Sequence, residues 1–164
     1  MTYHPVTRKI TDLLTAKNFW FETFEHEPVR TSEEAVKVRT GYTLSQGAKA
    51  LIVRVKISNH EKKFAMLVMP ADKRFDDDKV KAIFAAKDIR FATVEEVAET
   101  TGGVEVGGVP PFGHLFGLET IADPKLFENE KIVFNAGDRR FSVAMKTEDY
   151  KNLARPRIEP FILI

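Results

Sequence analysis

The sequence predicts one α+β domain, and three observations lead there. Its 164 residues suit a single domain with a sizeable core, and no internal repeat, low-complexity tract or linker-like stretch divides them. Apolar residues at helical spacing and alternating, partly β-branched runs both occur along the chain. Hydrophobic residues make up 43% and charged residues 30%, so the composition is that of an ordinary soluble globular protein.

At the start, Val6, Ile10, Leu13 and Leu14 share one helical face, with Pro5 near the first turn. Phe19 to Phe24 reads as an aromatic-rich strand. Thr31-Ser32-Glu33-Glu34 is a capping-box pattern that predicts a short helix to Arg39, ended by Gly41. Ala48 to Ile57 predicts a strand and Lys62 to Met69 its hairpin partner, with His60 and Glu61 in the turn. Asp76-Asp77-Asp78 puts acids at the positive end of a helix that carries Val80, Ile83 and Phe84. Arg90 to Thr93 suits a short strand, and Thr93-Val94-Glu95-Glu96 opens another short helix. Gly102 to Gly117 is dense in glycine and proline and must be a loop. Strands follow at Lys131 to Asn135 and Phe141 to Met145, then a helix at Thr147 to Ala154 and a last strand near Ile158 to Leu163.

Several function classes drop out. With no cysteine there is no disulfide, thiolate metal site or cysteine nucleophile. No apolar run reaches the length of a membrane span, and Met1-Thr2-Tyr3-His4-Pro5 lacks the basic start of a signal peptide, so a cytoplasmic setting is expected. A formal net charge of +1 means that any nucleic acid is met by a local patch and not by a global basic field. His4, His26, His60 and His114 show no metal-ligand spacing, and neither a metal nor a cofactor is implied. No Gly-x-Ser-x-Gly elbow occurs, and Ser32, Ser45, Ser58 and Ser142 have no neighbours that suggest a nucleophile.

Three places can carry chemistry. In Gly107-Gly108-Val109-Pro110-Pro111-Phe112-Gly113-His114, glycines let backbone approach a ligand while prolines stiffen the turn. That suits a pocket of main-chain amides for an anion or carbonyl, and equally a tight connection between core elements. Lys49 stands where the chain enters an apolar strand; it can serve as a point charge for a phosphate or ester carbonyl, or lie on a solvated face. His114 can donate a hydrogen bond or act as a base, and His26, before Pro28, can line a pocket or end a turn. The pairs Arg139-Arg140, Lys62-Lys63 and Lys73-Arg74 read as solvated surface, with phosphate contacts as the other possibility.

Taken in order, His26-Glu27-Pro28, Thr31-Ser32-Glu33-Glu34-Ala35, Gln46-Gly47-Ala48-Lys49-Ala50-Leu51, Gly107 to Gly113 and Asn135-Ala136-Gly137-Asp138-Arg139-Arg140 resemble one family. This is the YbaK / prolyl-tRNA synthetase-associated (ProX) family of trans-editing proteins, and the likeness spans nearly the whole chain. The resemblance implies a mixed, partly curled sheet flanked by helices. It implies hydrolysis of a mischarged aminoacyl-tRNA at its acceptor end, with tRNA-Pro the expected carrier and prolyl-tRNA synthetase a possible partner. A non-catalytic tRNA-binding or synthetase-docking module of the same fold is the alternative.

The family's required lysine maps onto Lys49 and its Gly-x-x-x-Pro loop onto Gly107 to Pro111. The expected catalytic set is therefore Lys49 with the amides of Gly107, Gly108 and Val109. The expected substrate-binding set is Pro110, Pro111, Phe112, Gly113, His114, His26, Asn135 and Gly137. Phe112 and the Phe19 to Phe24 strand are expected to form the apolar wall. Alanine-editing members carry Asn after the lysine and a late-strand histidine; Ala50 and Asn135-Ala136-Gly137 depart from both.

Overall fold

The computed structural model describes residues 2–28 and 31–164, with Ser32 described by its backbone alone. Along the chain run α1 (Pro5–Ala16), β1 (Phe21–Glu25), α2 (Ser32–Val38), β2 (Ala48–Lys56), β3 (Lys62–Pro70) and α3 (Asp77–Phe84). They are followed by β4 (Asp88–Phe91), α4 (Val94–Thr101), β5 (Glu119–Ala122), β6 (Lys131–Asp138), β7 (Phe141–Lys146), α5 (Thr147–Ala154) and β8 (Arg157–Ile158).

Capping chemistry starts the helices where the sequence places them. The His4 Nδ1 accepts from the Val6 N–H ahead of Pro5. The Thr31 hydroxyl accepts from Glu34, Asp76 from Asp78 and Lys79, and Thr93 and Glu96 cap each other reciprocally. Gly41 follows α2 at φ +91°, a conformation glycine adopts without a Cβ penalty.

The strands form two sheets. One has the order β1-β7-β6 and is antiparallel; the other has the order β4-β2-β3-β5-β8 and is mixed, with β5 parallel to both β3 and β8. A parallel bridge from Gly47 to Val133 ties the sheets at the start of β2, which is the curl of the fold. Alternation along β2 splits the core. Ala48, Ala50 and Ile52 join Met66, Phe134, Val143 and the α1 residues Ile10 and Leu14. Leu51, Val53 and Val55 join Leu67, Met69 and the α3 residues Val80 and Phe84. The longer sheet is thus covered on both faces, and the cleft between its β2 end and the shorter sheet is where the candidate residues gather.

Some expectations shift. The final strand is only Arg157–Ile158, after which Ile162 bridges Phe75. β5 was not read in the sequence, nor were the single 3-10 turns at Leu44–Gln46, Gly113–Phe116 and Pro124–Glu128.

Candidate active site

The site starts from a missing neighbour. β4 pairs with β2 only from Val53 to Lys56, and the Ala92 N–H then meets the Ile52 carbonyl. Among the described residues, no strand pairs with Ala48 to Leu51 on the edge away from β3. That edge opens on a cavity of about 480 Å³, within the range of small-molecule sites. All of Gly47 to Ile52 line it, as an edge would and a face would not. Across from them lie Gly107, Val109, Asn135 and Arg139. Phe91 and Val106, both more than half exposed, complete an apolar rim.

Lys49 is half-buried in this lining. Its ammonium donates to the Lys73 carbonyl. Burial, and then the charge of Arg74, lower its pKa, while Asp72 opposes them.

The glycine turn is fastened to β6. Asn135 Nδ2 donates to the Gly107 carbonyl at 2.7 Å, and the Gly137 N–H donates to the Gly108 carbonyl at 2.8 Å. Gly107 holds φ +89°, where a side chain would be strained. The Gly108 N–H is spent on the Glu105 carbonyl at 2.9 Å. Among the described residues, the Gly107 and Val109 N–H groups meet no acceptor, and both residues line the cavity. Among the described residues, two of the three main-chain donors in the turn are thus unengaged.

Behind the turn sits a side-chain network. Arg39 donates from Nε to Ser142 Oγ (3.1 Å) and from Nη2 to Asn135 Oδ1 (2.9 Å). Ser142 Oγ donates to the same Asn135 oxygen (3.1 Å), and His26 Nε2 lies 2.9 Å from that hydroxyl. Asn135 is thus oriented with its amide nitrogen toward Gly107. Ser142 and Arg39 carried no signal in the sequence: a serine on a strand and an arginine at a helix end are ordinary until tertiary packing buries them.

Similarity to known proteins identifies the family. The family model described as "Aminoacyl-tRNA editing domain" matches residues 26–153. The chain belongs to that family. Its relatives include the multifunctional Ser/Thr-tRNA deacylase ProXp-y of Escherichia coli (strain K12), 35% identical over 94% of this chain and 91% of that protein. A proline–tRNA ligase of Bacillus licheniformis is 33% identical over 60% of this chain but only 16% of its own length. A crystal structure of a candidate trans-editing enzyme for prolyl tRNA synthetase has the same fold, with TM-score 0.82, 23% identity, and 99% and 100% of the two chains covered. The chain is accordingly an aminoacyl-tRNA deacylase, a hydrolase of the ester bond.

Within the editing domain the expected residues divide. Lys49, Gly107, Val109 and Asn135 come together at the cavity. Gly108 does not serve as a donor, because its N–H is engaged. Pro110, Pro111 and Phe112 lie in the core and not on the wall. Phe112 is 1% exposed and packs edge-on against Phe134 and Tyr150, and the Tyr150 hydroxyl donates to the Pro111 carbonyl at 2.7 Å. Gly113 is buried because a Cβ there would stand 2.2 Å from Thr120 Oγ1. Gly137 admits α1, since a Cβ would stand 2.5 Å from Val6 Cγ1. His114 is exposed beside Phe112, outside the lining, and His26 is also outside it, in hydrogen-bond contact with Ser142. The apolar wall is Ala48, Ala50, Ile52, Ala92 and Val97 in place of Phe112 and β1. Among the described residues, no cluster of His, Asp and Glu is placed for a metal, and no helix is long and apolar enough to cross a membrane.

Proposed function

We propose that the editing domain clears the acceptor end of a mischarged tRNA, with serine and threonine as the amino acids removed and Lys49 as the central side chain. The observation that carries this is one cavity whose lining includes the half-buried Lys49 together with Gly107 and Val109, whose amides meet no acceptor among the described residues. Water adds to the ester carbonyl carbon, the carbonyl oxygen becomes an oxyanion, and its collapse breaks the bond to the ribose oxygen, which leaves with a proton. The amides of Gly107 and Val109 hold the oxyanion, and Lys49 supplies positive charge beside it. Among the described residues the lining has no Asp, Glu or His, so the nucleophile is water and its proton passes to the substrate's own oxygens.

The selectivity follows from the walls. Ala48, Ala50, Ala71 and Ala92 leave room for a small acyl group, and Thr31 and Asn135 offer polar partners to a hydroxyl. The name of the Escherichia coli relative points the same way. Phe91 at the rim is placed to stack the terminal adenine. The carrier tRNA is proline's by family resemblance, and docking beside prolyl-tRNA synthetase belongs to the same reading.

The test is deacylation of Ser-, Thr-, Ala-, Cys- and Pro-charged tRNA, each on its cognate and on the tRNA-Pro body. Lys49→Ala is expected to lower kcat by about 10²–10³-fold, the cost of losing one oxyanion stabiliser. Equal rates in wild type and variant would remove Lys49 from the mechanism.

A further inference from the structure

Arg39 is the one buried basic side chain among the described residues. Arg90, Arg139, Arg140 and Arg157 each meet a carboxylate. Arg39 is only 7% exposed, and among the described residues no acid pairs with it; it donates to the neutral oxygens of Ser142 and Asn135. Burial alone lowers its pKa, to about 10, which leaves it charged at neutral pH. A buried charge without a counter-ion is costly. The guanidinium has five N–H donors, and two are used. Arg39 lines the cavity, and among the described residues its Nη1 meets no acceptor. Lys49 and Arg139 are the other charged lining residues, with no Asp or Glu among those described. Arg139 already pairs with Glu105, so Arg39 is the lining guanidinium left without a counter-ion among the described residues.

We infer that Arg39 is an anion-recognition residue of the cavity, its open edge pairing with a negatively charged oxygen of the bound tRNA end. Two oxygens have this chemistry: a phosphate oxygen of the terminal nucleotide, and the oxyanion formed when water adds to the ester. The second source rests on the deacylase reading above; the first does not.

The experiment uses wild type, Arg39→Met and Arg39→Lys. Melting is followed in chloride and in inorganic phosphate at matched ionic strength. Phosphate is expected to raise the wild-type Tm and to leave Arg39→Met unmoved, with Arg39→Lys between them. In chloride, Arg39→Met is expected to melt no lower than wild type, since it removes an uncompensated charge. If Arg39→Met does not fold, Arg39→Gln replaces it in the same comparison. Deacylation then separates the sources. A fall in kcat of about 10²–10³-fold at unchanged KM assigns the oxyanion, and a rise in KM with weaker binding of uncharged tRNA assigns the phosphate. A variant that melts lower while keeping the wild-type phosphate response, kcat and KM would make Arg39 a hydrogen-bonding hub and overturn the inference. The phosphate arm needs no turnover, so a chain inactive on every charged tRNA still tests Arg39 while sinking only the catalytic reading.

Discussion

Gly107–Val109 and Pro110–Gly113 are adjacent in sequence and alike in composition, yet they do different things. The first stretch reaches the cavity through Gly107 and Val109, whose amides meet no acceptor among the described residues. The second is buried, with Phe112 wedged against Phe134 and Tyr150 and the Pro111 carbonyl held by the Tyr150 hydroxyl. One half is positioned and the other positions it. Preorganised donors gain their worth from not having to move when charge develops, so rigidity in the second half is the condition for chemistry in the first.

The largest break in this comparison is Phe112→Ala. Emptying a fully buried aromatic site is expected to cost about 3–5 kcal/mol in urea unfolding, with deacylation lost because the turn loses its anchor. A variant that kept full activity at reduced stability would uncouple the halves. Gly107→Ala should do the reverse. Its φ of +89° and the Arg139 Cδ at 3.2 Å from the added Cβ are expected to cost about 1–2 kcal/mol of stability, yet to lower kcat by more than tenfold. Steady-state kinetics beside a melting curve checks both figures. The smallest effect is at His114, just past the buried half. Although His114 is largely exposed, partial desolvation of its ring, and then the charge of Lys9, depress its pKa below the usual 6.5. As pH falls through that value the unfolded chain takes up the proton first, so the folded state loses stability toward acid. His114→Gln is expected to flatten the decline in Tm between about pH 7 and 5, and a drop in turnover instead would return His114 to the site.

How far the sequence could be read divides along similar lines. Local signals were legible: the caps at Thr31, Asp76 and Thr93, the β2–β3 hairpin and helix α5 all formed where capping, alternation and turn residues placed them. β5 escaped because four residues are too few for a period, and its pairing with β3 is parallel and distant in sequence. In the site, Lys49, Gly107, Val109 and Asn135 were legible through family resemblance. Phe112 was misplaced because an aromatic residue in a glycine-rich loop suits a pocket wall and a buried plug equally. Arg39 and Ser142 were invisible for a different reason: their meaning lies in mutual contact across 103 positions of chain, which no local pattern encodes.

The unpartnered edge from Ala48 to Leu51 has one more consequence. Bare strand margins normally invite fusion with other proteins. Here the margin lines a cavity of about 480 Å³, so its main-chain groups stand where a small guest can reach them. Backbone grips are indifferent to the residue that supplies them, whereas the side chain of a lining residue such as Ala50 affects the room left for a guest. Grip and gauge therefore reside in different atoms of the same residue, and a lineage can retune which acyl group it accepts by one methyl at a time while the hold on the rest of the molecule stays intact.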